Sequence, residues 1–359
     1  MKLPFAFLAL AAGADAQITS QERAVSTFAQ TYHQPTDLAD TQQDGQSSLL
    51  PGPFFVELET TAVAFFNSSQ TFARQSSDVD VEAGSFTAAG HAAGSLYVQG
   101  TGIATAESAV DLRFTVDGAA RFVFEEIGLS VDDVFQSLFS FDRPGDASVS
   151  IELTAEPSGE VLFSAALILD DVGTKETFDL DDELVLPVGA GSYRLLLTAA
   201  SNDETDGVEQ IEASLGAATY DVTGALELTL QRDVAALSLS AGGAQALTLA
   251  AGADFAGKLY GLVGSASGTS PGFPLGGFVL PLNPDPYFNV TLANPAGSPL
   301  ANAFGVLDAA GGAAASFGLP AGSNPALAGA TVAHAFAVVD PLGFAVELVS
   351  NSAAVELLP

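Results

Sequence analysis

The sequence contains neither cysteine nor tryptophan, and only ten of its 359 residues are lysine or arginine. The absence of cysteine excludes a disulfide framework, a thiol nucleophile and a thiolate metal site. With 43 Asp and Glu, the formal net charge is −33. This charge argues against binding to nucleic acid, whose phosphates require clustered Lys and Arg, and against adsorption to anionic membranes. Because 48% of the residues are hydrophobic, the chain is not a disordered acidic polymer.

The N-terminus has the pattern of a secretory signal peptide. Lys2 supplies the positive charge, residues 3–12 form a short apolar run, and Ala14-Asp15-Ala16 is an A-x-A cleavage site. We expect cleavage after Ala16 and an extracellular protein at the cell surface or in the matrix. No later segment has about 18 uninterrupted apolar residues, so membrane insertion is not expected.

Changes in composition divide the chain into four segments. They are the signal peptide at 1–16, a polar arm or linker at 17–52, an acidic region at 53–233 and an Ala/Gly-rich region at 234–359. Residues 17–233 hold 36 acidic and eight basic residues, whereas residues 234–359 hold six acidic and one basic. The length and this shift near Asp233 predict two domains.

Period-2 alternation of apolar and polar residues begins after the arm. Val110, Leu112 and Phe114 alternate with polar residues, and Val149 and Ile151 repeat the pattern. Turn sequences rich in Gly, Pro and Asp separate such runs. The fold class is therefore predicted to be all-β, with two antiparallel β-sandwich or jelly-roll domains in tandem after the cleaved signal peptide.

Two local interpretations accompany this scheme. Ala24, Phe28 and Tyr32 have helical spacing, which predicts a short helix in the arm. Gly242-Gly243, between two leucine-rich runs, predicts a hairpin turn in the last domain.

Residues 186–193 have the sequence LPVGAGSY. This stretch resembles the L-P-x-G-x-Y start of a strand in bacterial extracellular jelly-roll domains, of which the pre-peptidase C-terminal-like group is one example. The resemblance implies a jelly-roll fold over about residues 80–232, with Tyr193 packed on the opposite sheet. It carries no specific function.

A second resemblance covers most of 237–359. Its residues are YGLVGSASGTSPG at 260–272, LPLNPDPY at 280–287, HAFAVVDP at 334–341 and VSN at 349–351. These stretches resemble a C-terminal β-sandwich module, immunoglobulin- or fibronectin-like, of large secreted or surface proteins of environmental bacteria. The resemblance implies an extracellular accessory or structural role.

Catalytic motifs are absent from the sequence. His33, His91 and His334 form no H-E-x-x-H or H-x-H pair, and Ala266 occupies the nucleophile position of the one G-x-x-x-G stretch that resembles an esterase elbow. We interpret His334, in an apolar run, as a hydrogen-bonded structural histidine, and His91, between glycines, as a loop residue. No catalytic residue and no organic cofactor are predicted.

Clustered carboxylates are the main candidate for chemistry. Loop carboxylates bind hard cations such as Ca²⁺. The favoured interpretation is that these acids are solvated and keep a lysine-poor protein soluble; the alternative is a Ca²⁺ site. The candidate ligands for that site are Asp170, Asp171, Asp179, Asp181 and Asp182.

These observations favour a secreted structural or interaction protein, as a surface or matrix component or a self-assembling filament subunit. Its partners would be further copies of itself, other extracellular proteins or glycans. In the filament version, the arm 17–52 and the apolar run at Phe54 add a strand to a neighbour's sheet edge. The first alternative is a Ca²⁺- or glycan-binding accessory module, although glycan sites usually contain Trp. The second alternative is a carboxylate-based hydrolase.

Overall fold

The structure of the protein is a computed structural model that describes residues 17–33, 37–64, 67–81, 84–132, 146–169, 175–180, 182–205, 211–294 and 299–359. Within these ranges the chain forms 24 β-strands and a single α-helix. The predicted all-β class is therefore confirmed.

The first twelve strands build two sheets that share one strand. The strands are β1 (Gln17–His33), β2 (Leu38–Ser48), β3 (Phe54–Ala64), β4 (Asn67–Asp80), β5 (Ser85–Val116), β6 (Ala120–Asp132), β7 (Ala147–Glu156), β8 (Glu160–Ile168), β9 (Lys175–Asp179), β10 (Leu184–Val188), β11 (Gly191–Thr205) and β12 (Ile211–Leu228). Sheet I has the order β2-β1-β5-β11-β7-β8, and sheet II has the order β3-β4-β5-β12-β6, with β9 and β10 both paired to β6. All of these pairings are antiparallel.

The shared strand β5 is 32 residues long. Its first half pairs with β4 and β12 in sheet II, and its second half pairs with β1 and β11 in sheet I. The two sheets face each other, and every second residue of the inner strands, such as β4 and β5, points into the space between them, whereas β2 at the edge of sheet I stays exposed. Stacked aromatic rings fill one end: Phe114 of sheet I lies 5.2 Å from Phe122 of sheet II, centroid to centroid.

The remaining strands build a second pair of sheets. They are β13 (Leu230–Arg232), β14 (Ala236–Ser238), β15 (Gly243–Ala250), β16 (Leu259–Ser265), β17 (Phe273–Leu275), β18 (Phe278–Leu280), β19 (Leu300–Ala301), β20 (Phe304–Val306), β21 (Gly312–Leu319), β22 (Thr331–Val339), β23 (Val346–Val349) and β24 (Ala353–Leu358). Sheet III has the order β13-β15-β21-β19, and sheet IV has the order β14-β24-β22-β16-β20, with β23 also paired to β22. β17 and β18 form a separate hairpin.

The second pair of sheets has its own core. Leu247 and Phe317 of sheet III pack with Phe336 and Val355 of sheet IV. Helix α1 (Pro286–Ala293) packs against β16 and is capped by the side chain of Asp285. Short 3-10 turns lie at Ala253–Phe255 and Pro325–Leu327. No helix in the described part of the chain is long and apolar enough to cross a membrane.

Two local expectations from the sequence are wrong. The segment with helical spacing is the strand β1, which lies inside sheet I between β2 and β5. The segment 17–52, expected to be an arm or linker, therefore contributes two strands to the fold. The chain turns where Gly242-Gly243 predicts it, closed by a single antiparallel bridge between Ser238 and Gly242, but β14 and β15 form no hairpin, because β14 pairs in parallel with β24 and β15 pairs with β13 and β21.

Candidate functional site

Only two of the five predicted Ca²⁺ ligands lie in the described part of the chain. Asp179 ends β9 and Asp182 precedes β10, and both are exposed. Asp170, Asp171 and Asp181 lie outside the described residues. Within the described ranges, no three His, Asp or Glu side chains come together as a metal site. The Ca²⁺ site therefore stays a prediction.

His91 lies in the first half of β5, not in a loop, which corrects the interpretation from sequence. It is paired with Arg74 of β4 and Thr219 of β12, on the outer face of sheet II. Its ring meets the edge of Phe72, with centroids 5.4 Å apart. Burial and the positive charge of Arg74 lower the pKa of His91, so this imidazole is neutral near pH 7.

His334 is fully buried between sheets III and IV, as the sequence predicts for a structural histidine. Its Nε2 shares a hydrogen bond of 3.1 Å with the hydroxyl of Tyr287, and its ring lies 4.9 Å from the ring of Phe317. Burial lowers the pKa of His334 to about 3 and raises the pKa of Tyr287. Both groups are therefore neutral at physiological pH, and they serve packing and hydrogen bonding.

The carboxylate of Asp285 is bonded to a serine hydroxyl, as a catalytic carboxylate would be, but its role is to cap helix α1. Its Oδ1 accepts a hydrogen bond from the backbone N–H of Phe288, and its Oδ2 accepts from the N–H of Ala266 and the hydroxyl of Ser265. Burial alone would raise the pKa of Asp285, but these bonds hold it below its ordinary value. A carboxylate saturated in this way is a poor general base.

The interior of the first sandwich is polar at the end formed by β1 to β4, a feature that sequence analysis missed. The hydroxyls of Thr27 and Thr60 bridge the two sheets at 2.6 Å. The buried polar side chains are Gln21, Arg23, Thr27, Thr31, Thr60, Asn67, Ser69, Thr71, Gln75, Ser77, Ser108, Ser201 and Asp203. The Thr27–Thr60 bond favours this alignment of the two sheets, because another alignment would break it.

Tyr220 is the centre of this polar interior. Its hydroxyl accepts a hydrogen bond from Gln75 Nε2 at 3.0 Å and lies 3.1 Å from the Ser108 hydroxyl. Burial raises the pKa of Tyr220 to about 12. The ring lies over Gly90, where a Cβ would come within 2.2 Å of the ring carbon Cζ. Glycine at this point of β5 is therefore a requirement of packing.

Arg23 is a buried cation that closes the same end of the sandwich. Its guanidinium donates to the carbonyl oxygens of Gly52 and Leu50, and it lies 5.0 Å from the centroid of the Phe54 ring. Burial lowers the pKa of Arg23, and the charge of Asp78 acts in the opposite direction. Arg23 thus holds the segment between β2 and β3 against β1.

An open recess of about 460 Å³ lies along the β1–β2 pair, lined by Ser26, Thr27, Phe28, Gln43, Asp44 and Gly45. Phe28 is opposite Gln43 and Ser26 is opposite Gly45, so these four residues share the outer face of sheet I. Gly45 carries no side chain there, which leaves space beside the half-buried ring of Phe28. An aromatic ring among amide and hydroxyl groups is chemistry suited to a sugar.

Comparisons with known proteins identify no relative. No known protein family and no curated protein matches the sequence. Among solved structures, the enzymatically active domain of tailspike protein 4 of bacteriophage CBA120 is 12% identical over 48% of this chain and 19% of its own, with a TM-score of 0.19. A chain of the infectious bursal disease virus particle is 11% identical over 60% of this chain and 64% of its own length, with a TM-score of 0.14. The chain thus spans less than two thirds of either, and at these TM-scores the likeness identifies no function.

Proposed function

We propose that this protein is a secreted, non-enzymatic structural or interaction protein of the cell surface or extracellular matrix. The observation that carries the proposal is where the side chains with the most strongly shifted pKa values lie. Tyr220 and His334 are buried in packed interiors, and each is bonded to a structural partner, Gln75 and the half-buried Tyr287 respectively. In an enzyme, groups with shifted pKa values line an accessible cleft.

The sequence supports secretion through the signal peptide at 1–16. Expression of the full chain in a bacterial host with a secretion pathway should deliver a protein whose N-terminal residue is Gln17. The bond to be cleaved joins Ala16 to Gln17 and follows the small residue that the signal peptidase requires. Ala16→Arg should therefore leave the signal uncleaved, and it serves as the control. Retention of the unprocessed wild-type chain in the cytoplasm contradicts the proposal.

A panel of ester, glycoside and peptide substrates tests the non-enzymatic assignment. We expect no turnover above that of heat-unfolded protein, with or without millimolar Ca²⁺. Turnover that Asp285→Asn or His334→Gln abolishes, while the circular dichroism spectrum of the variant stays native, contradicts it.

We propose glycan binding at the β1–β2 recess as a second candidate function, because Phe28 and Gln43 face that recess together. Affinity electrophoresis in soluble polysaccharides should show retardation that Phe28→Ala weakens about tenfold. Gly45→Leu should have the same effect by filling the recess, since a Cβ at Gly45 meets its nearest atom at 3.5 Å, an ordinary contact. Tyr97→Ala removes an exposed aromatic ring from the other sheet and is the matched control. Equal retardation of all variants rejects this site.

A further inference from the structure

The turn between β22 and β23 presents two large apolar side chains to solvent. Leu342 is 90% exposed and Phe344 is 76% exposed. Their turn has a single hydrogen-bonded arrangement. The carboxylate of Asp340 accepts from the N–H of Gly343 at 2.8 Å, and its carbonyl accepts from the N–H of Phe344 at 2.9 Å. The exposed side chains are therefore held on a turn that hydrogen bonds fix.

The backbone of Phe344 is strained. Its φ of 52° lies in the left-handed region, which a bulky residue seldom adopts. A large apolar residue that is both strained and exposed contributes little to the stability of an isolated chain. Strain of this kind is concentrated at sites of interaction.

An apolar row of half-buried and exposed side chains continues from this turn across sheet IV. Val306, Leu259, Val339 and Val346 are neighbours on β20, β16, β22 and β23, so their side chains share one face. The β17–β18 hairpin packs against β23 and β22, and at the β23 end of the row a Cβ on Gly276 would lie 2.8 Å from Val346 Cβ.

At the opposite end of the row, β20 is left without cover. Phe304 and Val306 point to the same face and are 57% and 60% exposed. Phe278, in the covering hairpin, is 41% exposed. We name Phe278, Phe304, Val306, Leu342 and Phe344 the apolar end.

The charge distribution indicates what covers the apolar end. Residues 17–233 carry 36 acids against eight bases, so this part of one molecule repels the same part of another. Residues 234–359 carry only six acids and one base. Of the charges beside the apolar end, Lys258 and Glu347 form an ion pair within the chain, and the carboxylate of Asp340 is bonded to the backbone N–H groups of its own turn. Two copies therefore meet with least repulsion through this end.

We propose that the apolar end is a homophilic interface at which two copies of this chain pair, each inserting Leu342 and Phe344 against the uncovered β20 side of the other. The pairing deepens the proposed structural function and rests on it. A two-fold arrangement keeps the acidic sheets I and II of both copies on the outside.

Sedimentation velocity on the chain from Gln17 onward tests this pairing over a range of protein and NaCl concentrations. We expect a reversible dimer that tightens as NaCl increases, because salt screens the repulsion between two copies of charge near −33 while apolar contacts persist. The double variant Leu342→Gln/Phe344→Asn should raise the dissociation constant at least about tenfold. Asn accepts a positive φ, so this variant keeps its fold.

The matched control is Leu49→Gln/Leu50→Gln, which removes two exposed leucines from the segment between β2 and β3 and should leave the dimer intact. A wild-type protein that is monomeric at every concentration overturns the pairing. So does a dimer whose dissociation constant the control raises as much as Leu342→Gln/Phe344→Asn does. Flotation of a monomer with phosphatidylcholine vesicles overturns it in favour of a lipid surface. None of these outcomes affects the non-enzymatic assignment, which only turnover contradicts.

Discussion

Asp117, at the end of β5, binds Ser352 from 235 positions later in the chain. Its carboxylate accepts a hydrogen bond from the Ser352 backbone N–H at 3.1 Å and another from the Ser352 hydroxyl. Next to this pair, the side chain of Asn351 accepts from the N–H of Leu230 and donates to its carbonyl oxygen, both at 2.9 Å. Leu230 belongs to sheet III, whereas Ala119, between β5 and β6, donates its backbone N–H to the carbonyl oxygen of Val349 at 3.0 Å. Through Val349, the motif at 349–351 thus joins the first sandwich to the second.

Gly118→Ala should break this junction. A Cβ at Gly118 would lie 2.1 Å from the carbonyl oxygen of Ser350, so backbone would have to move. We expect the free energy of unfolding in urea to fall by about 2 kcal/mol or more. Gly189→Ala is the control, since a Cβ there meets no atom within 4 Å. An equal and small effect of both substitutions contradicts this role of Gly118.

Tyr220 should make the protein sensitive to alkali. An unfolded tyrosine loses its proton near pH 10, whereas Tyr220 in the folded chain keeps it to about pH 12. Stability is therefore lost as the pH rises from 10 to 12, by about 2–3 kcal/mol at the upper limit. Urea unfolding at pH 9 and pH 11.5 measures this loss. Tyr220→Phe should unfold more easily at pH 9, by about 1 kcal/mol, and show a smaller further loss at pH 11.5. If the wild type and Tyr220→Phe lose the same free energy of unfolding between pH 9 and pH 11.5, Tyr220 is not the source of the alkali sensitivity.

His334 should contribute sensitivity to acid. The imidazole of an unfolded chain takes up a proton near pH 6.5, and the buried His334 only near pH 3. Its contribution to stability is complete above pH 6.5 and is lost as the pH falls towards 3, by up to about 4 kcal/mol. His334→Gln should flatten the dependence of the unfolding free energy on pH between 6.5 and 4. His91→Gln, on the outer face of sheet II, should preserve most of it. An unchanged slope in His334→Gln rejects this explanation.

Calcium should act on this protein mainly by screening charge, if the carboxylates are solvated as the favoured interpretation holds. We then expect CaCl₂ and NaCl of equal ionic strength to raise the melting temperature equally. A larger rise with CaCl₂ that Asp179→Asn/Asp182→Asn abolishes would instead establish the alternative, a Ca²⁺ site. Glu57→Gln/Glu59→Gln removes the same charge from β3 and is the control.

Much of the fold could be predicted from alternation alone. Val110, Leu112 and Phe114 are buried in β5 as their spacing indicates, and Tyr193 is buried near the start of β11. The ring of Tyr193 stacks on Phe114 of the neighbouring strand, in the same sheet, and its packing on the opposite sheet stays a prediction. Period-2 patterns reveal strands when the inward residues are apolar.

Strand β1 was missed because its inward residues include Arg23, Thr27 and Thr31, which resemble a solvated surface in sequence. The spacing of four between Phe28 and Tyr32 misled as well, because residues four apart share one face of a strand as well as one face of a helix. The recess beside Phe28 was therefore not visible from the sequence.

His91 was misplaced because glycines flank it, and Gly-rich stretches usually mark loops. In β5 these glycines mark close approaches. Gly90 lies under Tyr220, and a Cβ at Gly94 would come within 2.7 Å of the Asp203 carboxylate. Contacts between residues more than 100 positions apart leave no local trace in a single sequence.

The sharing of β5 between two sheets sets the order in which the chain can fold. In each sheet β5 lies between one partner that precedes it, β1 or β4, and one that follows it by about a hundred residues, β11 or β12. When β5 has left the ribosome, its partners β1 and β4 have left as well, but β11 and β12 have not. The first sandwich therefore cannot close until Leu228 has emerged, and pairings this distant in sequence form slowly.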